Sequence, residues 1–329
     1  MKRKVPKEVG IAAVVVLVAI VLSAISPTFR TFSNLEILLL NGAVIGFLAL
    51  GQAFVLLTGG IDLSAGSNIA LTGMAAALIM SAGAPWWVAA VAALLLGLVI
   101  GAWNGAGVAI LKLPPFIMTF ATFGVTASIP LILTGANSVT VADPFFAIIG
   151  RGSIFGVPMP VVLVVLAGVV FAVLLRQTVF GVHVYAVGGS AEASRLAGVR
   201  SSGVIIATYM LSGLCAAFGG IITTSRLMVG YPSAGSGNEL FYSIAAAVVG
   251  GVSLFGGIGT IGGAALGALL IAVVSNGMNV IGVESYWQPL VIGLIILVGV
   301  ILDTHRRSVS IRHLVARMRT QGVPQVSQA

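Results

Sequence analysis

Long runs of apolar residues, separated by short polar connections, recur along the whole chain. A helix needs about 20 apolar residues to cross a bilayer, and barrel strands would instead alternate over about ten residues. We therefore predict an all-α polytopic membrane protein with about ten transmembrane helices in a single transmembrane domain, residues 1–329. The predicted spans cover about residues 9–26, 35–57, a third that ends near 81, 86–111, 116–134, 159–175, 203–224, 240–255, 261–281 and 287–302.

Two of these spans have an alternative interpretation. The first could be a signal peptide, but its apolar run is long and it lacks a good cleavage site, which favours a retained span. The eighth has only about 16 residues, which barely cross roughly 30 Å of hydrocarbon, so it could be re-entrant. A re-entrant eighth segment would put the basic tail, residues 304–329, on the outer side.

Composition and charge fit a membrane protein better than a nucleic-acid-binding one. The chain is 59% hydrophobic and 7% charged, and its net charge is +8. The inner side would hold thirteen basic residues, Lys2, Arg3, Lys4, Lys7, Lys112, Arg176, Arg195, Arg200, Arg306, Arg307, Arg312, Arg317 and Arg319. The outer side would hold three, Arg30, Arg151 and Arg226. This asymmetry is the usual signal of membrane orientation, so both termini are predicted to be cytoplasmic and no nucleic-acid partner is expected.

Catalytic chemistry has little support in the sequence. Asp62 is the only acid placed near the membrane interior, so there is no carboxylate pair for acid–base work. Cys215 is the only cysteine, and the three histidines have no metal-ligand spacing. No G-x-x-x-x-G-K-[ST] loop occurs, so ATP would be hydrolysed by another chain and no cofactor is expected on this one. An intramembrane enzyme is disfavoured, since Asp62 lacks a polar catalytic partner.

Asp62 allows two interpretations. A charged side chain at mid-bilayer costs about 2.5–3.5 kcal/mol and usually faces a cavity or a partner, which would place Asp62 near a translocation path or gate. Alternatively, Asp62 lies at the inner interface and its carboxylate caps the following helix through backbone N–H groups.

Six amide side chains interrupt otherwise apolar spans. They are Asn41, Gln52, Asn68, Asn104, Asn276 and Asn279. Together they would suit a path for an uncharged, hydroxyl-rich solute. For any single one, an interhelical hydrogen bond is the favoured alternative, although such bonds contribute only about 0.6 kcal/mol on average.

Glycines mark two further features. Gly97, Gly101 and Gly105 are four residues apart, which predicts close helix packing. The sequence GGIDLSAG at residues 59–66 resembles GGVSLFGG at 250–257, as an internal repeat would. With 43 glycines in the chain, chance is an equal explanation.

The polar interruption at residues 176–202 contains a predicted short helix. Ser190 suits the N-cap, Glu192 and Arg195 suit the two ends of the helix dipole, and Gly198 suits a left-handed C-terminal position. The segment comprises Ser190, Ala191, Glu192, Ala193, Ser194, Arg195, Leu196, Ala197 and Gly198. From the spacing alone, this helix could equally be a simple linker or a helix that docks on a partner.

Four segments resemble signatures of the ribose-type permease family of ABC importers. They are GGIDLS at residues 59–64, GGSAEASRLAGV at 188–199, PSAGSGNEL at 232–240 and VGGVSLFGGIG at 249–259. The resemblance covers nearly the whole chain in order. Two departures occur: Ile258 and Thr260 stand where relatives often have Lys and Arg, and Ser190-Ala191 stands where an Asn usually precedes the Glu.

The resemblance implies an ABC-importer permease fold in a bacterial inner membrane. It implies a second permease subunit, identical or a sister chain, an external solute-binding protein, and a cytoplasmic ATPase with two nucleotide-binding halves that holds ATP and magnesium. Residues 190–198 would be the helix that docks on the ATPase, and Arg151, Arg226 and Glu239 would lie near the binding-protein face. The solute would be a sugar or a similar polar molecule.

Two other transport functions stay open at this point. An ion-coupled secondary transporter would need coupling charges or broken helices at the midplane, and only residues 59–66 qualify. A branched-chain amino acid permease shares the implied fold, but the sugar-type motifs argue against it.

Overall fold

The computed structural model describes residues 7–235 and 237–320. Lys2, Arg3 and Lys4, Ser236 and residues 321–329 of the predicted basic tail lie outside the described residues. The described helices are α1 Lys7–Ile25, α2 Phe32–Leu57, α3 Ala65–Ser81, α4 Trp86–Ala109, α5 Pro115–Thr134, α6 Pro144–Arg151, α7 Met159–Gln177, α8 Val179–Gly189, α9 Ala191–Leu196, α10 Ser201–Leu227, α11 Glu239–Val249, α12 Ile261–Val280 and α13 Gln288–Thr320. Short 3₁₀ turns lie at Pro27–Arg30 and Ser285–Trp287.

Eight helical segments of the described chain are long and apolar enough to cross a membrane. They lie in α1, α2, α4, α5, α7, α10, α12 and α13. Two shorter apolar helices, α3 with 17 residues and α11 with 11, occupy the predicted third and eighth positions. The prediction of an all-α polytopic protein with about ten spans is therefore confirmed. α13 continues beyond the predicted tenth span, so the start of the basic tail is helical.

Helix α3 is short because it begins well inside the bundle. The Asp62 carboxylate, just before α3, accepts a hydrogen bond from the Ser212 hydroxyl of α10 at 2.7 Å. At 1.5 Å per residue, Ser212 lies about 16 Å along α10, whereas α10 as a whole is about 40 Å long. Thr58 meets Thr208 at 3.5 Å, one turn nearer the inner end of α10. The chain therefore turns back into the bundle over residues 58–64 before α3 starts.

Helix α11 is also short because it begins inside the bundle, but here the chain enters from the outer side. From the outer side, residues 230–235 run beside α3: a β-carbon at Gly230 would meet Ala77, and one at Gly66 would lie 2.8 Å from the Gly235 carbonyl oxygen. Helix α11 then continues inward, and Gly250 packs against the first turn of α12. The predicted eighth span, residues 240–255, thus contains a helix of only 11 residues, which is about 16 Å long. Its helical part ends at Val249, because Gly250 and Gly251 form a turn in which Gly251 has φ +85°.

The centre of the bundle is formed by α2, α10 and α12, whereas α1, α5, α7 and α13 expose broad apolar faces. The predicted glycine contact holds α4 against α10. β-Carbons at Gly97, Gly101 and Gly105 would overlap the backbone of α10 at Gly213, Tyr209 and Ile206, respectively. Only glycine allows this separation of the two helices.

Short strands and one short helix close the outer side. β1 (Val139–Thr140) pairs antiparallel with β4 (Val229–Gly230), in the register Val139 to Gly230. β2 (Ser153–Ile154) and β3 (Val157–Pro158) form a small hairpin. Between these pairs lies α6, whose N-cap Asp143 accepts from the Phe145 and Phe146 N–H groups.

Candidate functional site

The short helix α9 has the caps that the sequence predicted. The Ser190 hydroxyl accepts from the Ala193 N–H at 3.2 Å, and Gly198 adopts φ +85°. Every residue of the predicted segment is exposed except Ser194, and the Leu196 side chain is 78% exposed. The Ser201 hydroxyl donates to the Ala191 carbonyl at 3.2 Å and ties α9 to the start of α10. An exposed leucine on a well-capped helix is a surface suited to a protein partner.

Asp62 belongs to a buried polar network. Its Oδ1 accepts from the Ser64 N–H at 2.9 Å and from the Ser64 hydroxyl at 2.7 Å, and its Oδ2 accepts from Ser212. The predicted bond from the carboxylate to a backbone N–H is therefore present. The residue is fully buried inside the bundle. Helix α3 begins three residues after this carboxylate, at Ala65.

Two asparagines and a tyrosine hold the Asp62 turn in place. The Asn104 side-chain amide donates to the Ser64 hydroxyl at 2.8 Å, and that of Asn68 donates to it at 3.4 Å. Tyr209 Oη donates to the Ile61 carbonyl at 3.1 Å. Gln52, Asn68 and Asn104 each keep a buried side-chain polar atom without a hydrogen-bond partner among the described residues. The hydrogen bonds of Asn68, Asn104 and Tyr209 stabilise a break in a membrane-spanning segment, where unpaired backbone groups are costly.

A polar cavity of about 520 Å³ opens near the outer ends of α2, α10 and α12. It is lined by Asn41, Val44, Ile45, Thr223, Arg226, Leu227, Gly237, Asn238, Glu239, Tyr242, Ala272, Ser275, Asn276, Asn279 and Gln288. Its volume falls within the range of about 300–1,000 Å³ that is typical of small-molecule pockets. The cavity lies at the start of the short helix α11, whose first residue is Glu239.

Hydrogen bonds organise one wall of this polar cavity around Gln288. Gln288 Oε1 accepts from Tyr242 Oη at 2.7 Å and from Ser275 Oγ at 3.0 Å, and Gln288 Nε2 donates to Asn279 Oδ1 at 2.7 Å. Asn276 exchanges two bonds of 3.0 Å with Asn34 at the edge of the cavity. Neutral amide and hydroxyl groups, both donors and acceptors, therefore dominate this wall.

Two charged residues, Arg226 and Glu239, also line the cavity. Arg226 Nη1 donates to Asn41 Oδ1 at 2.7 Å, and the Arg226 carbonyl accepts from Arg151 Nε at 2.7 Å. Glu239 Oε2 is buried without a hydrogen-bond partner among the described residues. This unpaired oxygen is an acceptor available to a hydroxyl group entering the cavity.

The candidate path residues thus divide into two groups. Asn41, Asn276 and Asn279 line the polar cavity, together with Arg226 and Glu239 from the predicted binding-protein face. Asp62, Gln52, Asn68 and Asn104 are packed inside the bundle and do not line it.

Most of the cavity residues were not among the predicted site residues, and Tyr242 and Gln288 are two of them. They lie 46 residues apart along the chain and meet only through the fold. The one local signal was the position of Tyr242, one turn after Glu239 on the same helix.

Eight long apolar helices, two broken spans and a polar cavity reached from one side define a polytopic membrane transport protein of the permease class. Residues 34–300 match the family model described as the permease component of the branched-chain amino acid transport system, and the chain belongs to this family. The predicted membership in the ABC permeases is confirmed.

Relatives match over nearly the full length of the chain. The ribose import permease protein of Bacillus subtilis is 40% identical over 87% of this chain and 89% of its own. The L-arabinose ABC transporter permease protein of Azospirillum brasilense is 35% identical over 91% and 88%. The D-allose transport system permease protein of Escherichia coli is 33% identical over 89% and 90%. No solved structure matches this chain.

Proposed function

We propose that this chain is the membrane-spanning permease of an ABC importer and that its solute is a sugar. The observation that carries the proposal is the polar cavity, whose amide and hydroxyl groups suit a neutral, hydroxyl-rich solute. Relatives named for ribose, allose and L-arabinose transport, at 33–40% identity, favour a sugar over a branched-chain amino acid.

The solute path runs through the cavity in this proposal. Asn41, Asn276 and Asn279 offer amide groups to solute hydroxyls, and Glu239 Oε2 offers an unused acceptor. Asp62, Asn68 and Asn104 hold the broken third span in place by hydrogen bonds and do not act as solute ligands, and Gln52 lies inside the bundle away from the cavity.

The energy source is a separate cytoplasmic ATPase with two nucleotide-binding halves, which holds ATP and magnesium. The exposed segment 190–198 docks on it through Leu196, Glu192 and Arg195. Arg151, Arg226 and Glu239, at the outer end, lie near the face that receives an external solute-binding protein.

The assembled importer contains a second permease subunit, either a copy of this chain or a sister chain, in a bacterial inner membrane. ATP binding and hydrolysis move α9 and change which side of the membrane the path faces. Such alternating access requires nucleotide-bound ATPase to interact differently with the two conformations of the permease.

The two broken spans favour one alternative, an ion-coupled transporter, since such proteins place discontinuous helices at the midplane. Uptake in proteoliposomes that contain the permease, its ATPase and its binding protein distinguishes an ABC importer from an ion-coupled transporter. We expect labelled D-ribose, D-allose or L-arabinose to enter the vesicles only when ATP is supplied on the side of the membrane where the ATPase is bound. Uptake that persists without ATP and stops when an ionophore collapses the ion gradients would overturn the proposal.

The cavity assignment is tested in the same vesicles. Asn279→Ala should lower uptake at limiting solute about fivefold, because a lost hydrogen bond of about 1 kcal/mol corresponds to that factor. Gln177→Ala is the control, since Gln177 is exposed at the end of α7, away from the cavity. Equal uptake by the two variants would remove Asn279 from the path.

A further inference from the structure

The cytoplasmic segment before α9 is bonded to a loop that belongs to the other half of the chain. Tyr185 of α8 donates its hydroxyl to the Gly259 carbonyl at 2.8 Å. Gly259 lies in the turn between α11 and α12, 74 residues further along. Burial raises the pKa of the Tyr185 hydroxyl above its usual value, against a smaller opposing effect of Arg176, so the hydroxyl stays protonated at neutral pH.

One turn further along α8, Gly188 lies against backbone alone. A β-carbon at Gly188 would overlap the Leu57 carbonyl at the end of α2 and would lie 2.5 Å from the Gly257 N–H. That N–H donates to the same Leu57 carbonyl at 2.9 Å. A β-carbon at Gly256 would lie 2.7 Å from the Gly188 carbonyl. Three chain segments therefore meet here without side chains between them.

We call this meeting point the glycine joint, formed by Leu57, Tyr185, Gly188, Gly257 and Gly259. It is continuous with the core, because Val184 and Val187 of α8 are buried in the same cluster as Leu57. An α-helix packed this closely against backbone cannot slide past it without breaking the contacts, since packed interiors are not continuously deformable.

The joint connects α9 to the helices that line the polar cavity. Only Ser190 separates α8 from α9. On the other side of the joint lie the inner ends of α2, α11 and α12, whose outer parts carry Asn41, Tyr242 and Asn276, respectively. A displacement of α9 therefore reaches three cavity-lining helices through one cluster of contacts.

We propose that Tyr185 and Gly188 are positioning residues that transmit movement of α9 to the inner ends of α2, α11 and α12. The inference rests on the proposed function, because it assumes that an ATPase moves α9. The Tyr185–Gly259 hydrogen bond holds the joint together while it moves, and Gly188 provides the close backbone contact.

The first test uses the complete transporter with its ATPase and binding protein. In a Cys215→Ala background, spin labels at Leu111→Cys and Ile258→Cys, both exposed positions, report the distance from α4 to the joint. We expect that distance to change between nucleotide-free and ATP-bound states. Tyr185→Phe should remove most of the change and lower the sugar transported per ATP about fivefold, with ATPase association intact.

Tyr286→Phe is the matched control, because Tyr286 is exposed on the outer side and should transmit nothing. If Tyr185→Phe keeps the full nucleotide-dependent change and the same sugar-to-ATP ratio, the inference is overturned. If the parent transporter itself shows no nucleotide-dependent change, the proposed function fails first, so the two failures are distinguishable.

A second test remains informative if Tyr185→Phe lowers the melting temperature. The Gly189 N–H would lie 3.2 Å from a β-carbon at Gly257, so Gly189 and Ile258 are neighbours across the joint. A short cross-linker with two thiol-reactive ends and a reducible link can therefore join Gly189→Cys to Ile258→Cys in the Cys215→Ala background. A joint that moves as one body should tolerate this cross-link, and cross-linked transporter should keep its uptake. Uptake that is lost on cross-linking and restored by reductant would show that the joint opens, which contradicts the proposal.

Discussion

Removal of the Asp62 carboxylate should be far more harmful than removal of its charge alone. Asp62→Ala leaves three buried donors without an acceptor: the Ser64 N–H, the Ser64 hydroxyl and the Ser212 hydroxyl. Each buried donor that is left without a partner costs about 1–3 kcal/mol. Because a hydroxyl can rotate to another acceptor, we expect the lower end, about 3 kcal/mol of unfolding free energy.

Asp62→Asn separates two opposing effects. It removes a charge whose cost within the bilayer is about 2.5–3.5 kcal/mol on insertion scales. It also weakens hydrogen bonds that, when charge-assisted, contribute about 1.5–3 kcal/mol each. The asparagine oxygen can still accept from Ser64, and the Ser212 hydroxyl can turn to accept from the new amide. The two effects nearly cancel, so we expect a change within about 1 kcal/mol.

The assay is reversible denaturation in mixed micelles of the parent protein, both Asp62 variants and Ser128→Ala. Ser128 is the control because its exposed hydroxyl bonds only to the Gly124 carbonyl of its own helix. A double-mutant cycle of Asp62→Asn with Ser212→Ala then isolates their shared energy. Equal stability of Asp62→Ala and Asp62→Asn would refute the claim that this network fastens the broken span.

Two further predictions concern helix packing and docking. Gly101→Ala should destabilise the protein by about 1–3 kcal/mol through overlap with the Tyr209 carbonyl, measured by thermal denaturation, whereas Gly203→Ala, with open space around it, should not. The double variant Glu192→Ala/Arg195→Ala should weaken co-purification of the ATPase at least tenfold without lowering the melting temperature, since both side chains are exposed. Full association and transport by that variant would remove α9 as the docking site.

Local signals explain what the sequence predicted well. The caps of α9 are formed by neighbours within a few residues, so Ser190 and Gly198 could be identified from spacing. Long spans such as α2 and α10 follow from apolar length alone. The Gly97 to Gly105 spacing predicted close approach because one helix face carries all three.

The depth of chain breaks could not be predicted from the sequence. Nothing near Asp62 indicates that it meets Ser212, 150 residues away, inside the bundle. Likewise, the apolar run at 240–255 does not reveal that its helix ends at Val249. The two resembling segments, 59–66 and 250–257, prove to be neighbours: a β-carbon at Gly256 would lie 3.0 Å from the Gly59 N–H. The two segments are similar in sequence because both need close contact between backbones.

The two breaks in the membrane-spanning helices differ in what surrounds them. Irregular backbone at membrane depth is tolerated where it is buried in protein or lines a water-filled space. The inner break, at residues 58–64, is filled by hydrogen bonds of Asp62, Asn104 and Tyr209. The glycine joint packs against this break from the inner side. The outer break leads directly into Glu239 and the polar cavity. In the described residues, the cavity thus lies at the outer break, and a buried polar network fills the inner break. Accessibility to a membrane-impermeant thiol reagent should follow: Asn279→Cys reacts from outside, and Asn104→Cys is protected from both sides.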